Sequence, residues 1–345
     1  MKKRTLLVAA VGAVVFTLFA GAMPAIAPAQ PKDVIRWKGQ SAWPGGISGG
    51  TAVNMAGWLN RMSNGKLVVD VGAPGSIVPV PAMFDAVSTG LLDYANTCSS
   101  FSMGKFPEQA ILSVLPGAYT NMGEAWDFLF ERGAFQLIQE AYAERNIKWF
   151  PHFPNGLFQI GTTFELKSIH DIKGKKLRVT GSAADVMKLL GASPVFLPVS
   201  DIYMALKLRT IDGYVGGADY MEDFKLKEMI KTYIKEPNLT CIVCEHIINM
   251  NSFNKLPAAL REEIQMDARH AELDWTMHMT VNNSRLENKL TKEYGIKFIT
   301  LPKDEQEEIM KAILIVWDSI AAKSPRCAKL IDIIKAVARD AGKMK

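Results

Sequence analysis

Only a few residues in this chain sit where their type and spacing could do chemistry. Arg178 stands inside the strand-like run Lys175-Lys176-Leu177-Arg178-Val179, directly before Thr180-Gly181-Ser182, which reads as a helix start. Open α/β sheets place ligands where a strand's end abuts a helix start. Spacing alone leaves open whether that guanidinium faces a ligand or solvent. Arg209 ends a helical stretch before Ile211-Asp212-Gly213, where capping against the helix dipole is the plainer reading. The glycine-rich segment Gly45-Gly46-Ile47-Ser48-Gly49-Gly50-Thr51 lacks the Gly-Lys-Ser/Thr ending of a phosphate loop. It either turns the chain into a helix or offers backbone N–H groups to an anion.

Other reactive constellations are missing. No Gly-x-Ser-x-Gly elbow appears with partners in a workable order, and no His-Glu-x-x-His occurs. His270 and His278 lie eight apart in a polar helical stretch and read as surface or packing residues. Cys241-Ile242-Val243-Cys244 lies in an extended run, where side chains at i and i+3 point to opposite faces. No second ligand pair follows Cys241, Cys244 and His246 at zinc-site spacing. With Cys98 and Cys327, these thiols read as small buried apolar groups. Trp43, Phe101, Phe158 and Tyr214 each fall in or just after a strand end.

The elements around these residues alternate. Residues 34–43, 66–71 and 94–98 read as strands, with helices at 52–62 and 79–89 between them. Residues 124–145 read as one long amphipathic helix carrying Trp126, Leu129, Phe130, Phe135 and Ile138 on a stripe. Strands follow at 147–150 and 158–162 around the turn Pro154-Asn155-Gly156, then at 175–180, 195–197 and 213–216, with helices near Ala183 and at 201–208. This rhythm predicts α/β layers with largely parallel sheets. The last third differs. After a strand at 241–250, a helical pattern from Leu256-Pro257 runs to Tyr294 without Gly or Pro, which predicts a helix about 57 Å long. A helix of that length touches two domains. A strand at 296–301 and helices at 304–321 and 327–341 complete the chain.

Composition narrows the class. The 345 residues are 22% charged and 48% hydrophobic, which fits a globular protein of about two domains. Forty Lys and Arg face 35 Asp and Glu. Three of those bases, Lys2, Lys3 and Arg4, precede an apolar run over residues 5–22 and the small-residue signature Ala25-Ile26-Ala27. That pattern predicts a Sec-type signal peptide over residues 1–27, cleaved near Ala27 or Ala29, and a periplasmic mature chain. Without those three bases the charge nearly balances, so no nucleic-acid partner is expected.

Several segments, in order and at family-like spacing, resemble the solute receptors of tripartite ATP-independent periplasmic (TRAP) transporters over residues 33–340. They are Ser41-Ala42-Trp43-Pro44, Ser63-Asn64-Gly65-Lys66-Leu67, Phe84-Asp85-Ala86-Val87-Ser88-Thr89-Gly90 and Asp171-Ile172-Lys173-Gly174-Lys175-Lys176-Leu177-Arg178-Val179. The most specific stretch runs from Leu190-Gly191-Ala192-Ser193-Pro194-Val195 through Tyr203-Met204-Ala205-Leu206 to Ile211-Asp212-Gly213. Ser-x-Trp-Pro and Gln159-Ile160-Gly161 look most like the branch binding 2-oxo acids and related monocarboxylates.

The resemblance implies a two-domain α/β clamshell with a long domain-spanning helix and C-terminal helices. Its expected layout is 33–155 with 240–256 as the first domain and 156–239 with 296–322 as the second. The spanning helix would cover 257–294 and a last helix 323–345. It implies capture of a small organic acid and delivery to TRAP membrane permease subunits, with no enzymatic step and no cofactor; no metal is expected, because the Glu-Trp pair that completes a cation site in the oxo-acid branch is absent here. A homodimer through the C-terminal helices is a further expectation. By the same likeness Arg178 pairs with the ligand carboxylate and Gln159 contacts the ligand or a cation. Trp43, Ser99, Phe101, Tyr214 and Asp219 complete the expected site.

Two departures stand out. The oxo-acid branch follows Ile-Asp with a Glu-Trp pair that completes a cation site, whereas this chain continues Gly213-Tyr214-Val215-Gly216-Gly217-Ala218-Asp219-Tyr220. Paired Tyr residues after the third strand are replaced by Ser99-Ser100-Phe101. The two glycines are expected to leave room for a larger ligand, with Tyr214 or Asp219 adding polar contacts. A ligand-sensing periplasmic receptor and an exported enzyme acting on a small carboxylate remain open as other readings.

Overall fold

The computed structural model describes residues 34–44, 46–152 and 157–344. The expected signal peptide and the turn Pro154-Asn155-Gly156 lie outside them. Two sheets form the frame. The first has the order β2-β1-β3-β11-β4, built from β1 (Ile35–Ser41), β2 (Leu67–Gly72), β3 (Tyr94–Thr97), β4 (Ile147–His152) and β11 (Cys244–Asn249). The second has the order β12-β9-β5-β8-β6-β7. Its strands are β5 (Leu157–Thr162), β6 (Lys176–Arg178), β7 (Ser193–Val195), β8 (Gly213–Gly216), β9 (Thr232–Glu236) and β12 (Lys297–Thr300), and the short β10 (Thr240–Cys241) pairs with β5.

Both sheets are mixed, which corrects the largely parallel expectation. In the first, β1 runs parallel to β2 and β3, but β11 is antiparallel to β3 and β4. In the second, β5 is antiparallel to β8 and β9, while β6 runs parallel to β7 and β8. The cause is the path of the chain. It leaves the first sheet after β4, enters the second at β5, and returns through β10 to β11. Each crossing strand therefore enters against the βα-wound strands. The extended run over 241–250 is thus two strands in two sheets, and β9 carried no separate signal in the sequence.

Helices cover the sheets. They are α1 (Gly46–Met62), α2 (Met83–Thr89), α3 (Gln109–Leu112), α4 (Met122–Trp126), α5 (Ala134–Ala143), α6 (Ala183–Leu189), α7 (Ile202–Lys207), α8 (Tyr220–Asp223), α9 (Met250–Asn254), α10 (Ala258–Tyr294), α11 (Lys303–Ala321) and α12 (Pro325–Asp340). The glycine-rich segment at Gly46 is itself the first turns of α1, not a separate loop. The single helix expected over 124–145 is broken. A π-helical turn spans Asp127–Glu131, and Gly133 takes φ 82 before α5 begins. That left-handed backbone suits glycine and ends the stripe that the apolar spacing suggested.

The long helix α10 has 37 residues, about 55 Å at 1.5 Å per residue. Near its start Leu260 and Ile264 pack with Trp37, Tyr94 and Phe150 on the first sheet and with Leu59 on α1. Near its end Leu286 and Leu290 join the larger core, and Lys289 and Glu287 pair with Glu222 and Lys235 beside the second sheet. Its two ends therefore anchor on different sheets. Helix α11 also bridges. Glu305 accepts from the Ile169 amide at 2.7 Å, while Trp317 Nε1 donates to the Pro116 carbonyl at 2.9 Å.

Beneath the first sheet lies a buried carboxyl. Glu245 on β11 accepts from the Tyr142 hydroxyl and from Trp149 Nε1 at 3.0 Å. Burial pushes its pKa up to about 8, with the Cys98 thiol adding to the rise and the two hydrogen bonds opposing it. A carboxyl raised in the folded state holds a proton that the unfolded chain has already lost. Stability is therefore fullest in acid, falls as pH climbs from the ordinary glutamate value towards about 8, and then levels. Glu245→Gln keeps the acceptor for Tyr142 and Trp149 without the titration. Its melting temperature should fall less than the wild type's between about pH 5 and pH 8, as scanning calorimetry would measure. Parallel curves would show that Glu245 does not titrate there.

Candidate functional site

Strand register assembles the site. Across the second sheet Arg178 pairs with Tyr214, Tyr214 with Gly161, and Gly161 with Tyr233. Register partners share a face of the sheet, so these residues form one row over four strands. Gly161 has to lack a side chain, because a Cβ there would lie 2.7 Å from Tyr214 Cε1 and 3.3 Å from Tyr233 Cδ2. One step along, Gln159 pairs with Gly216 on the same face. A Cβ on Gly216 would meet the Tyr220 ring at 2.8 Å. Gly161 and Gly216 therefore make room for tyrosines, which for Gly216 corrects the expectation that it leaves space for a larger ligand. The Tyr214 hydroxyl donates to the Gly217 carbonyl at 3.3 Å, and that of Tyr233 to the Gly216 carbonyl at 2.8 Å. Burial and the nearby Asp219 charge hold both phenols protonated, well above their ordinary pKa. Asp219 itself is fully buried at the start of α8.

Arg178 ends β6 with 1% of its surface exposed. Its Nε donates to the Leu197 carbonyl at 3.0 Å, Nη1 points to the Val215 carbonyl at 3.5 Å, and the Tyr220 hydroxyl adds a hydrogen bond. Burial pulls its pKa below the usual arginine range, against the opposing pull of Tyr220 and Cys98. Among the described residues no Asp or Glu is placed against it. All of its protein partners are neutral acceptors. A desolvated cation of this kind is costly unless an anion joins it.

The opposite wall comes from the first sheet. Trp43 follows β1, and its ring centroid lies 6.0 Å from that of Phe101, beyond β3. Ser99, two residues before Phe101, is buried with a hydroxyl that makes no hydrogen bond. Ser100 Oγ donates to Cys98 Sγ at 3.2 Å. The Cys98 thiol is held below its ordinary pKa, chiefly by a hydrogen bond with Cys244 and partly by the Arg178 charge. Cys98 directly follows β3 of the first sheet. Sequence reasoning missed Tyr220 and Tyr233, which complete the aromatic floor. Their only signals were the small residues at 216–218 and a strand with no distinct boundary.

Gln159 lies in the same row but turns elsewhere. Its Nε2 donates to the Lys235 carbonyl at 2.8 Å and to Asn238 Oδ1 at 2.7 Å, and its Oε1 accepts from the Leu239 amide at 3.0 Å. The amide thus fastens the segment over which the chain returns towards the first sheet.

The model for DctP, described as bacterial extracellular solute-binding protein, family 7, matches residues 39–324. A monocarboxylate 2-oxoacid-binding periplasmic protein of Nostoc sp. is 29% identical over 314 residues, covering 88% of this chain and 84% of that protein. A TRAP periplasmic solute-binding protein from Pseudoalteromonas atlantica, solved with sodium and pyruvate, superposes with a TM-score of 0.82 at 24% identity. It covers 90% of this chain and 95% of its own. Another, from Colwellia psychrerythraea with calcium and pyruvate, gives 0.81 at 23% identity, with 90% and 96% covered.

Because its three hydrogen bonds are internal and buried, Gln159→Ala should destabilise the unliganded protein by about 2–4 kcal/mol, measured by urea denaturation. A side chain whose only task is to touch the ligand would leave the unliganded midpoint unchanged.

Proposed function

This chain belongs to the DctP family of bacterial extracellular solute-binding proteins, the solute receptors of TRAP transporters, and we propose that its solute is a small 2-oxo monocarboxylate of the pyruvate kind. One observation carries this reading: Arg178 is buried among neutral acceptors, and its planar fork offers two parallel donors to a carboxylate. Trp43, Phe101, Tyr214 and Tyr220 would enclose the rest of a small ligand, and the Ser99 hydroxyl is at hand for a polar contact.

The two sheets suggest two lobes divided as 33–155 with 240–256, and 156–239 with 296–322. Helix α10 would brace both, and α12 (Pro325–Asp340) falls within the expected last segment, 323–345. The ligand shifts the balance of open and closed forms by binding the closed one better. The closed receptor then hands its ligand to the membrane permease, and no bond is made or broken. We place the receptor in the periplasm, exported by the signal over residues 1–27. Homodimer formation would use the outer face of α12, since Leu330, Ile331 and Ile334 are already buried within the chain.

The two solved relatives were obtained with bound sodium or calcium as well as pyruvate. The residues of this chain do not fit a resident cation. The Gln159 amide is committed to 235–239, and small residues stand in place of the Glu-Trp pair. Among the described residues no group of three or more His, Cys, Asp or Glu comes together to hold a metal.

A thermal-shift series over pyruvate, longer 2-oxo acids and malonate tests the ligand class. At 100 times its dissociation constant a ligand adds about 2.7 kcal/mol of stability. By calorimetry Arg178→Ala should cost about 2–5 kcal/mol of binding, and Arg178→Lys should also bind poorly, because a point charge cannot copy the fork. Unchanged affinity in a folded Arg178→Ala protein would remove Arg178 from the site. Affinity should also survive chelation and sodium-free buffer. A large loss restored by one cation would show that other donors had rebuilt the ion's site.

A further inference from the structure

Two stretches from different sheets meet beside the site. Residues 110–113 close α3 on the side of the first sheet, where the Phe106 ring edges onto Tyr142 at 4.9 Å. Gly181 and Ser182 follow β6 of the second sheet. The Ser182 amide donates to the Ser113 carbonyl at 2.7 Å, and its hydroxyl donates to the Ala110 carbonyl at 2.5 Å. Gly181 takes φ +63, and a Cβ there would overlap the Ser113 carbonyl oxygen and lie 2.6 Å from its carbon. Val114 takes φ 52, a turn that β-branched residues rarely adopt. Both partners are thus shaped for close approach of backbone to backbone, and both serine side chains are buried.

We propose that Gly181 and Ser182 are positioning residues for ligand capture, forming a latch that holds the two sheets closed over the solute. The proposal rests on the reading of this site as a cleft between two lobes. Gly181 is three residues beyond Arg178, so the latch also bears on the strand end that carries the guanidinium. A ligand can bias the balance only as far as the closed form can be reached. A side chain at 181 lifts the turn from Ser113 and costs the closed form, while Arg178 and the tyrosine row stay in place. Loss of the Ser182 hydroxyl leaves the Ala110 carbonyl without its donor and weakens the same contact.

The test is a distance measurement between spin labels at two exposed positions, Asp70→Cys on the first sheet and Lys188→Cys on α6, with and without pyruvate. The four native cysteines are buried and stay unlabelled. Pyruvate should shorten the wild-type distance and leave Gly181→Ala and Ser182→Ala long. Pyruvate dissociation should accelerate roughly tenfold or more in both variants while association stays near wild type, a split that general destabilisation would not produce. If Gly181→Ala does not fold, Ser182→Ala decides alone, since it adds no atom. Equal distances and equal dissociation rates in wild type and Ser182→Ala overturn the latch. Should the wild type ignore pyruvate, the proposed ligand class fails, and the latch is read from the unliganded distances. A short population present in wild type and lost in the variants supports it there, and identical distributions overturn it.

Discussion

A guanidinium held out of water, with no carboxylate beside it among the described residues, constrains everything around it. Arg178 keeps its charge because arginine cannot readily lose a proton. Its donors turn to the carbonyls of Leu197 and Val215 and to the Tyr220 hydroxyl, which partly offset desolvation without neutralising it. The lobe therefore holds an electrostatic demand that an anionic solute can meet. In a receptor this is useful. On the proposed reading, a bound carboxylate would offset that unfavourable burial.

The demand can be kept only if the backbone holds Arg178 in place, and the row of register partners does this. Tyr214, Tyr220 and Tyr233 fill the volume that Gly161 and Gly216 vacate, and each phenol is buried and kept neutral. Gln159, in the same row, fastens the returning chain with three hydrogen bonds. The floor of the site and the crossing between sheets thus share one strand, β5. On the proposed reading, a shift of the crossing segment would reach the site through that strand. The long helix α10 adds a stiff link, since its two ends are packed on different sheets.

How legible was this in the sequence? The periodicity of 257–294, the absence of Gly and Pro within it, and Gly295 at its end gave the long helix almost to the residue. Strand β8 was equally clear. Residues 124–145 misled, because an apolar stripe continued across Gly133, where the backbone turns left-handed. Arg178 was marked by its place before a helix start, whereas Trp43 and Phe101 entered the expected site only through the family resemblance. Gln159 looked like a ligand contact from its neighbours, yet its partners lie more than seventy residues away.

The sequence by itself determined the local periods, the helix ends, the family likeness and the presence of an arginine at a strand-to-helix junction. These depend on neighbours within a few residues, where spacing is informative. Only the tertiary structure decided that Arg178 is buried without a counter-charge, that Gly161 and Gly216 seat tyrosines, and that Gly181 lies flush on Ser113. Each of those facts is a meeting of strands or turns distant in the chain. Which pairs meet is set by sheet order and register, and those are fixed by where the chain crosses between its two sheets.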